Sequence, residues 1–278
     1  MRFAQYQKDG QRGVGLVRGI SLTPLSGPVD MLQLIQGWGS LADTIPSCLT
    51  AESFNLADAQ LLPPITRPGK ILAIGLNYRD HIEESGLTTP EHQTWFCKQP
   101  SAINGPYDPV EMPKVSSALD YEVELVAVIG RAGRHISRDE APTHVFGYCV
   151  GNDVSVRDWQ LRTPQWMLGK SFDTHAPIGP WIVTGDEIVD PHALDIISRV
   201  NGEIRQQSNT RHLLFDLWDQ IAHLSDAMTL EPGDLIFTGT PAGVGFGFDP
   251  PRPLCVGDVV RCEISGIGDI ENRVVAEG

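Results

Sequence analysis

Residues 118–130 constrain the fold more than any other stretch of the chain. From Tyr121 to Ile129 the apolar positions are Tyr, Val, Leu, Val, Ala, Val and Ile, and Gly130 closes the run, which is the composition of a β-strand. Side chains on a strand alternate between its faces. Asp120, Glu122 and Glu124 therefore belong to one side, and Tyr121, Val123 and Leu125 to the other, toward a core. Like charges at neighbouring same-face positions repel, so a sheet gains nothing by lining them up. A hard divalent cation reverses the sign of that interaction. The segment points to a magnesium or manganese site.

The remaining numbers narrow the class of protein. At 278 residues the chain can form one large domain, or a small domain followed by a larger one. A formal net charge of −14 argues against a nucleic-acid partner, because phosphate binding needs clustered Lys and Arg. An anionic substrate then has to be held by a metal and a few local cations. The cysteines at 48, 97, 149, 255 and 262 form no C-x-x-C pair, so a zinc site is not expected. The first residues do not resemble a signal peptide, and no apolar run approaches the roughly 18 residues needed to span a bilayer. The expectation is a cytoplasmic protein with no membrane partner.

Residues 1–66 alternate β-like pieces with one helix, capped by Asp30 and ending at Gly37, and hold no cluster of reactive side chains. This reads as a small structural subdomain. The stiff segment 63–69, with prolines at 63, 64 and 68, marks the boundary to a second domain over 67–278. Strands and turns with few helices prevail there, which indicates a β-rich α+β fold.

Several segments in the second domain carry candidate chemistry. After a buried strand over 70–75, Asn77 or Asp80 can cap a short helix that Gly86 ends. His81 and Glu84 lie three apart on that helix and share a face, which suits a general base oriented by a carboxylate. A solvated helix face with incidental charges fits the same spacing. Lys98 could serve a substrate, but a lone lysine more often faces solvent. Ser137 and Glu140 form a capping box for a short helix. Asp153 stands where a β-branched strand gives way to polar residues, as a third carboxylate beside Glu122 and Glu124 or as a turn residue. Lys170 lies in a Gly/Pro-rich loop, where binding residues concentrate. A hairpin is expected at Asn201–Gly202, and a core helix between Leu213 and Ala227. The Gly/Thr-rich loop over 238–247 can bring backbone N–H groups to an anion, but it matches no nucleotide-binding pattern.

Taken in order, the segments GLNYRDHIEESG, KQPSAINGP, LDYEVELVAVIG, GYCVGNDVSVRDWQ, GKSFDTHAPIGP, VNGEIRQQSNT and TLEPGDLIFTGTPAGVG resemble the fumarylacetoacetate hydrolase family over roughly residues 70–275. The resemblance implies a mixed β-sandwich roll preceded by a small N-terminal domain, and a homodimer. It implies Mg²⁺ or Mn²⁺ held by Glu122, Glu124 and Asp153, with Asp120 outside the ligand set. His81 and Glu84 match the family's water-activating pair, and Lys170 its oxyanion-stabilising lysine. Arg157, Gln160 and Thr240 match positions that contact substrate.

The activity so implied is hydrolysis of a C–C bond in a β-diketo acid of the acylpyruvate type, giving pyruvate and a carboxylic acid. His81 would activate water, Lys170 would meet the oxyanion, and the metal would stabilise the pyruvate enolate. The alternative is tautomerisation of 2-hydroxy-dienoic diacids or decarboxylation of oxaloacetate at the same metal–enolate site. The His81/Glu84 pair favours hydrolysis, because tautomerisation does not require an activated water. Trp95, Trp159, Trp166, Phe172 and His175 are candidates for shaping the acyl pocket.

Overall fold

The acidic segment continues into a central strand buried on both faces. A computed structural model describes every residue except Leu87, and Ser85 only through its backbone. Within it the strand is Val123–Ile129, paired antiparallel with Val145–Asn152 on one side and with Leu235–Phe237 on the other. Val123, Leu125, Ala127 and Ile129 enter one hydrophobic core, while Val126 and Val128 enter another. Alternation thus serves two cores rather than one core and solvent.

The strand belongs to a twelve-stranded sheet. Its path runs from Phe54–Asn55 through Ser21–Pro24, Gln11–Arg18, Arg2–Lys8 and Ala176–Thr184 to Val145–Asn152. It continues through Val123–Ile129, Leu235–Phe237 and Ile71–Gly75 to Thr94–Lys98. A five-stranded sheet has the order Glu203–Asn209, Asp195–Val200, Val259–Ile264, Gly268–Ala276, Val110–Met112. The first core lies between the two sheets, joining Val123 and Leu125 to Ile196, Val260, Ile264 and Ile270. The second covers the other face, where Met31, Leu34 and Ile35 of helix Met31–Gln36 pack on Phe3, Val126 and Phe237. This is the β-rich α+β sandwich roll expected from the sequence.

Segment 1–66 is continuous with that architecture, since Arg2 and Phe3 pair with Val183 and Ile182 of the main sheet. Local signals set several elements directly. Asp30 caps its helix by accepting from Gln33 N at 2.8 Å. Asn201 and Gly202 take φ of 52° and 83°, the left-handed pair that matches hairpin twist. The core helix is Leu217–Ala227, capped by Asp216.

Two local expectations are corrected. Ser137 Oγ does donate to Glu140 Oε2 at 2.7 Å, but the pair closes only a turn and the chain enters the short 3₁₀ segment Ala141–His144. Pro142 and the demand for the strand beginning at Val145 leave no length for an α-helix. Helix Arg79–Ser85 begins without a side-chain cap, although Gly86 does end it at φ 65°. Asn77 instead donates to Phe215 O and Thr238 O, and the Asp80 carboxylate is shared between His81 N and Ser208 Oγ.

Candidate active site

The strand alternation that places Val126 and Val128 in the second core also turns Glu124 and Glu122 to that face. Asp120 does not follow them. Leu119–Asp120 pairs instead with Ser155–Val156, and the chain shifts between Asp120 and Val123, so its carboxylate is drawn to another partner set. Asp153 arrives from the end of the neighbouring strand, and its N–H donates to Glu122 O at 2.9 Å. Glu122, Glu124 and Asp153 each present an oxygen, and these oxygens lie within 4.8 Å of one another. All three side chains are buried.

Such a cluster is costly unless cations compensate it. Lys170 Nζ donates to Glu122 Oε2 at 2.7 Å and to Asp153 Oδ2 at 2.9 Å. Lys98 Nζ donates to Asp153 Oδ1 at 2.5 Å and to Val154 O at 3.1 Å. Arg157 Nη1 lies 2.7 Å from Glu122 Oε1. Burial works to raise the Glu122 carboxyl, but Lys170 and Arg157 outweigh it and hold it down to about 2. Burial lowers the Lys98 ammonium, and Asp153 does not fully restore it.

Glu124 is the exception. Among the described residues no Lys or Arg pairs with it, and Gly239 N donates to its Oε2 at 2.7 Å. Burial, Asp153 and Glu122 together push its carboxyl well above the usual range. A divalent cation shared by the three carboxylates would supply the positive charge that Glu124 lacks. An all-oxygen donor set of this kind suits a hard cation such as Mg²⁺ or Mn²⁺.

His81 and Glu84 line a cavity of about 360 Å³ together with Glu122, Glu124, Arg157, Gln160, Lys170 and Thr240. His81 Nδ1 lies 3.3 Å from Glu84 Oε2, and Glu84 in turn accepts from Gly243 N at 2.9 Å. Thr240 Oγ1 donates to Val123 O at 2.9 Å and accepts from Gln206 Nε2 at 2.8 Å, which fixes the loop after strand Leu235–Phe237. Gln160 Oε1 accepts from Arg157 Nη1 at 2.9 Å. Phe96, Trp166 and Phe246 supply apolar wall, and Lys170 Nζ lies 5.0 Å from the Phe96 ring centroid.

The structure therefore brings His81, Glu84, Glu122, Glu124, Arg157, Gln160, Lys170 and Thr240 to one cavity, with Asp153 buried against Glu122 and Glu124. Lys98 is a correction, since it is buried against Asp153 rather than solvent-facing. Its signal was alternation: Thr94, Phe96 and Lys98 share one face of strand Thr94–Lys98, and Phe96 faces the cavity. Of the aromatic candidates Trp166 lines the cavity, whereas Trp95, Trp159, Phe172 and His175 are absent from its walls. Phe172 and His175 pack against each other beside a separate hollow. Gln206 and Asn77, both fully buried hubs under the loops, were not foreseen, because their roles depend on partners more than 80 residues away, such as Val123 and Phe215.

The family model described as fumarylacetoacetate (FAA) hydrolase C-terminal matches residues 70–275. The chain belongs to the fumarylacetoacetate hydrolase family. It is an enzyme of that superfamily. A Homo sapiens relative named oxaloacetate tautomerase FAHD2A, mitochondrial, is 48% identical over 221 residues, covering 79% of this chain and 70% of that protein. A Xenopus laevis relative named oxaloacetate tautomerase fahd2, mitochondrial, is 43% identical over 288 residues, covering 99% and 90%. Among solved structures, maleylpyruvate hydrolase from Sphingobium sp. SYK-6, in complex with manganese(II) and pyruvate, is 33% identical with a TM-score of 0.85, covering 100% of both chains. The mitochondrial relatives overturn the expectation of a cytoplasmic protein, which rested on a leaderless look of the first residues. Among the described residues no helix is long and apolar enough to cross a membrane.

Proposed function

We propose that the chain is a divalent-metal-dependent tautomerase of oxaloacetate-type 2-oxo diacids, moving a proton between C3 and the oxygen on C2. The observation that carries this reading is a single cavity lined by the His81 imidazole and by Glu122 and Glu124 of the three-carboxylate cluster. Relatives at 43–48% identity that are named oxaloacetate tautomerases support it. Glu122, Glu124 and Asp153 would hold the ion. When bound, Mg²⁺ or Mn²⁺ supplies Lewis acidity that polarises the 2-oxo group.

His81 takes the proton from C3 of the keto form. Glu84 orients the imidazole and stabilises its charged form, through the 3.3 Å contact at Nδ1. Negative charge passes to the substrate oxygen as the C–H bond breaks, and Lys170 meets it with an ammonium that Glu122 and Asp153 keep protonated against burial. Transfer of that proton from the His81 imidazolium to the C2 oxygen completes the enol and regenerates the neutral base, and the reverse sequence returns the keto form. Tautomerisation thus needs a positioned base as much as hydrolysis does, so the His81/Glu84 pair does not exclude it. Gln160 and Arg157, which line the cavity, would contact the substrate carboxylates.

A second reading, C–C hydrolysis of an acylpyruvate, has its own support. The His81 side chain remains 15% exposed, so water can reach it, and a structural neighbour is named maleylpyruvate hydrolase. One experiment separates the two. Oxaloacetate and a panel of acylpyruvates are supplied with Mg²⁺ or Mn²⁺, while enol absorbance, pyruvate and CO₂ are followed separately. Faster enol–keto equilibration of oxaloacetate without pyruvate is expected. Pyruvate released from acylpyruvates alone would replace the first reading by the second, and no turnover of any substrate would sink both.

A further inference from the structure

We propose that Asp120 is a positioning residue that couples the base pair to the carboxylate cluster through the loop over 243–247. The inference rests on His81 and Glu84 acting as the base pair. The Asp120 carboxylate is 1% exposed and receives four donors. Its Oδ1 accepts from Tyr121 N at 2.9 Å and Gly245 N at 2.7 Å, and its Oδ2 from Phe246 N at 3.0 Å and Arg157 Nε at 2.8 Å.

Each connection leads to one half of the site. Arg157, held at Nε by Asp120, places Nη1 on Glu122 at 2.7 Å. Gly245 and Phe246, held at their N–H groups, anchor the loop whose Gly243 N donates to Glu84. The loop also crowds Glu84 from its other end, since a Cβ on Gly247 would stand 2.5 Å from the Glu84 carboxyl carbon. Among the described residues Glu84 pairs with His81 on its own helix and otherwise with this loop. Asp120 therefore fixes both the arginine beside the cluster and the backbone that aims the orienting carboxylate. The alternating acidic row in the sequence contains two ligand candidates and one strut.

Asp120→Asn presents an amide NH₂ to two of these donors and so breaks half of the arrangement at nearly constant volume. The first readout needs no substrate. Hydrogen exchange at the Gly243 amide should accelerate together with that at Gly245 and Phe246, because release of one end of the loop frees the other. Unchanged protection at Gly243 would overturn the coupling. The second readout is a double-mutant cycle with Glu84→Gln, assayed with oxaloacetate and Mg²⁺. Each single substitution should lower kcat by about 10²-fold with little change in KM, the cost of a misplaced base, and the double variant should fall only about 3-fold further. Losses that multiply to about 10⁴-fold would show independent roles and overturn the inference. Full activity of Glu84→Gln would overturn both it and the base assignment. Gly247→Ala, at an exposed position with ordinary backbone, tests the same link without touching Asp120. It should lower kcat while leaving Tm unchanged, and unaltered kcat would count against the loop as the route.

Discussion

Asp153 is fully buried with a lysine on each carboxylate oxygen, whereas His81 keeps 15% of its side chain exposed and leans on one carboxylate 3.3 Å away. His81 lines the cavity and Asp153 lies buried behind Glu122 and Glu124 at its wall, and the two are held in opposite ways. The cluster end is built into a central strand and compensated by Lys98, Lys170 and Arg157, so its geometry is part of the fold. The base end sits on the seven-residue helix Arg79–Ser85 and is steadied from the loop through Gly243. The charges of the cluster are buried with their partners, and the proposed base is left accessible.

Asp153→Ala should break the cluster end most severely. It removes a ligand candidate and leaves Lys98 and Lys170 buried without their shared carboxylate. Divalent-ion binding should vanish in calorimetry, turnover should fall by about 10³-fold, and stability by roughly 3–5 kcal/mol in denaturant titration. Unchanged ion binding would remove Asp153 from the ligand set. His81→Ala should give the contrasting pattern. Turnover should drop roughly 10²–10⁴-fold while ion binding persists and stability moves by no more than about 0.5 kcal/mol. A large loss of stability would show that the base end is also structural.

Lys98→Met keeps the volume but leaves Asp153 with Lys170 alone, at a cost of about 3 kcal/mol by thermal or chemical unfolding. A neutral outcome would mean that Lys98 contributes no more than the apolar stem that replaces it. A last test concerns His175, whose contribution to stability depends on pH. Its Nε2 donates to Glu111 O at 2.8 Å, and burial lowers it from the ordinary 6.5 to about 4. Between those values the unfolded chain binds a proton that the folded chain refuses. The stability contribution is complete above pH 6.5 and is lost as pH falls toward 4, by about 3 kcal/mol in all. His175→Gln should flatten that part of the stability–pH curve, and an unchanged slope would assign it to other groups.

Legibility in the sequence followed the range of the interaction. The core pattern of strand Val123–Ile129, the Asp30 cap, the Asn201–Gly202 turn and the three-residue spacing of His81 and Glu84 are local, and all were readable. The ordered motifs added the union of Asp153 with Glu122 and Glu124. What stayed hidden were pairings across long separations. Lys98 looked exposed because its partner Asp153 is 55 residues away, and the Gly/Thr-rich loop looked like a site for an external anion. The structure uses its N–H groups on the protein's own carboxylates, Gly239 on Glu124, Gly243 on Glu84 and Gly245 on Asp120.

By itself the sequence determined a β-rich fold, a row of acidic residues that repel unless something intervenes, and a short helix able to carry a base. Alternation and propensity act between neighbours, so a single chain displays them. The family resemblance set Asp120 apart from the ligand set, and the tertiary structure supplies the physical reason for that division of the acidic row. A shift in pairing after Asp120 turns that carboxylate to the loop and to Arg157, while Glu122 and Glu124 stay with Asp153. Which carboxylate becomes a strut and which a ligand candidate depends on the backbone donors and cations that packing brings near, and no residue encodes that alone.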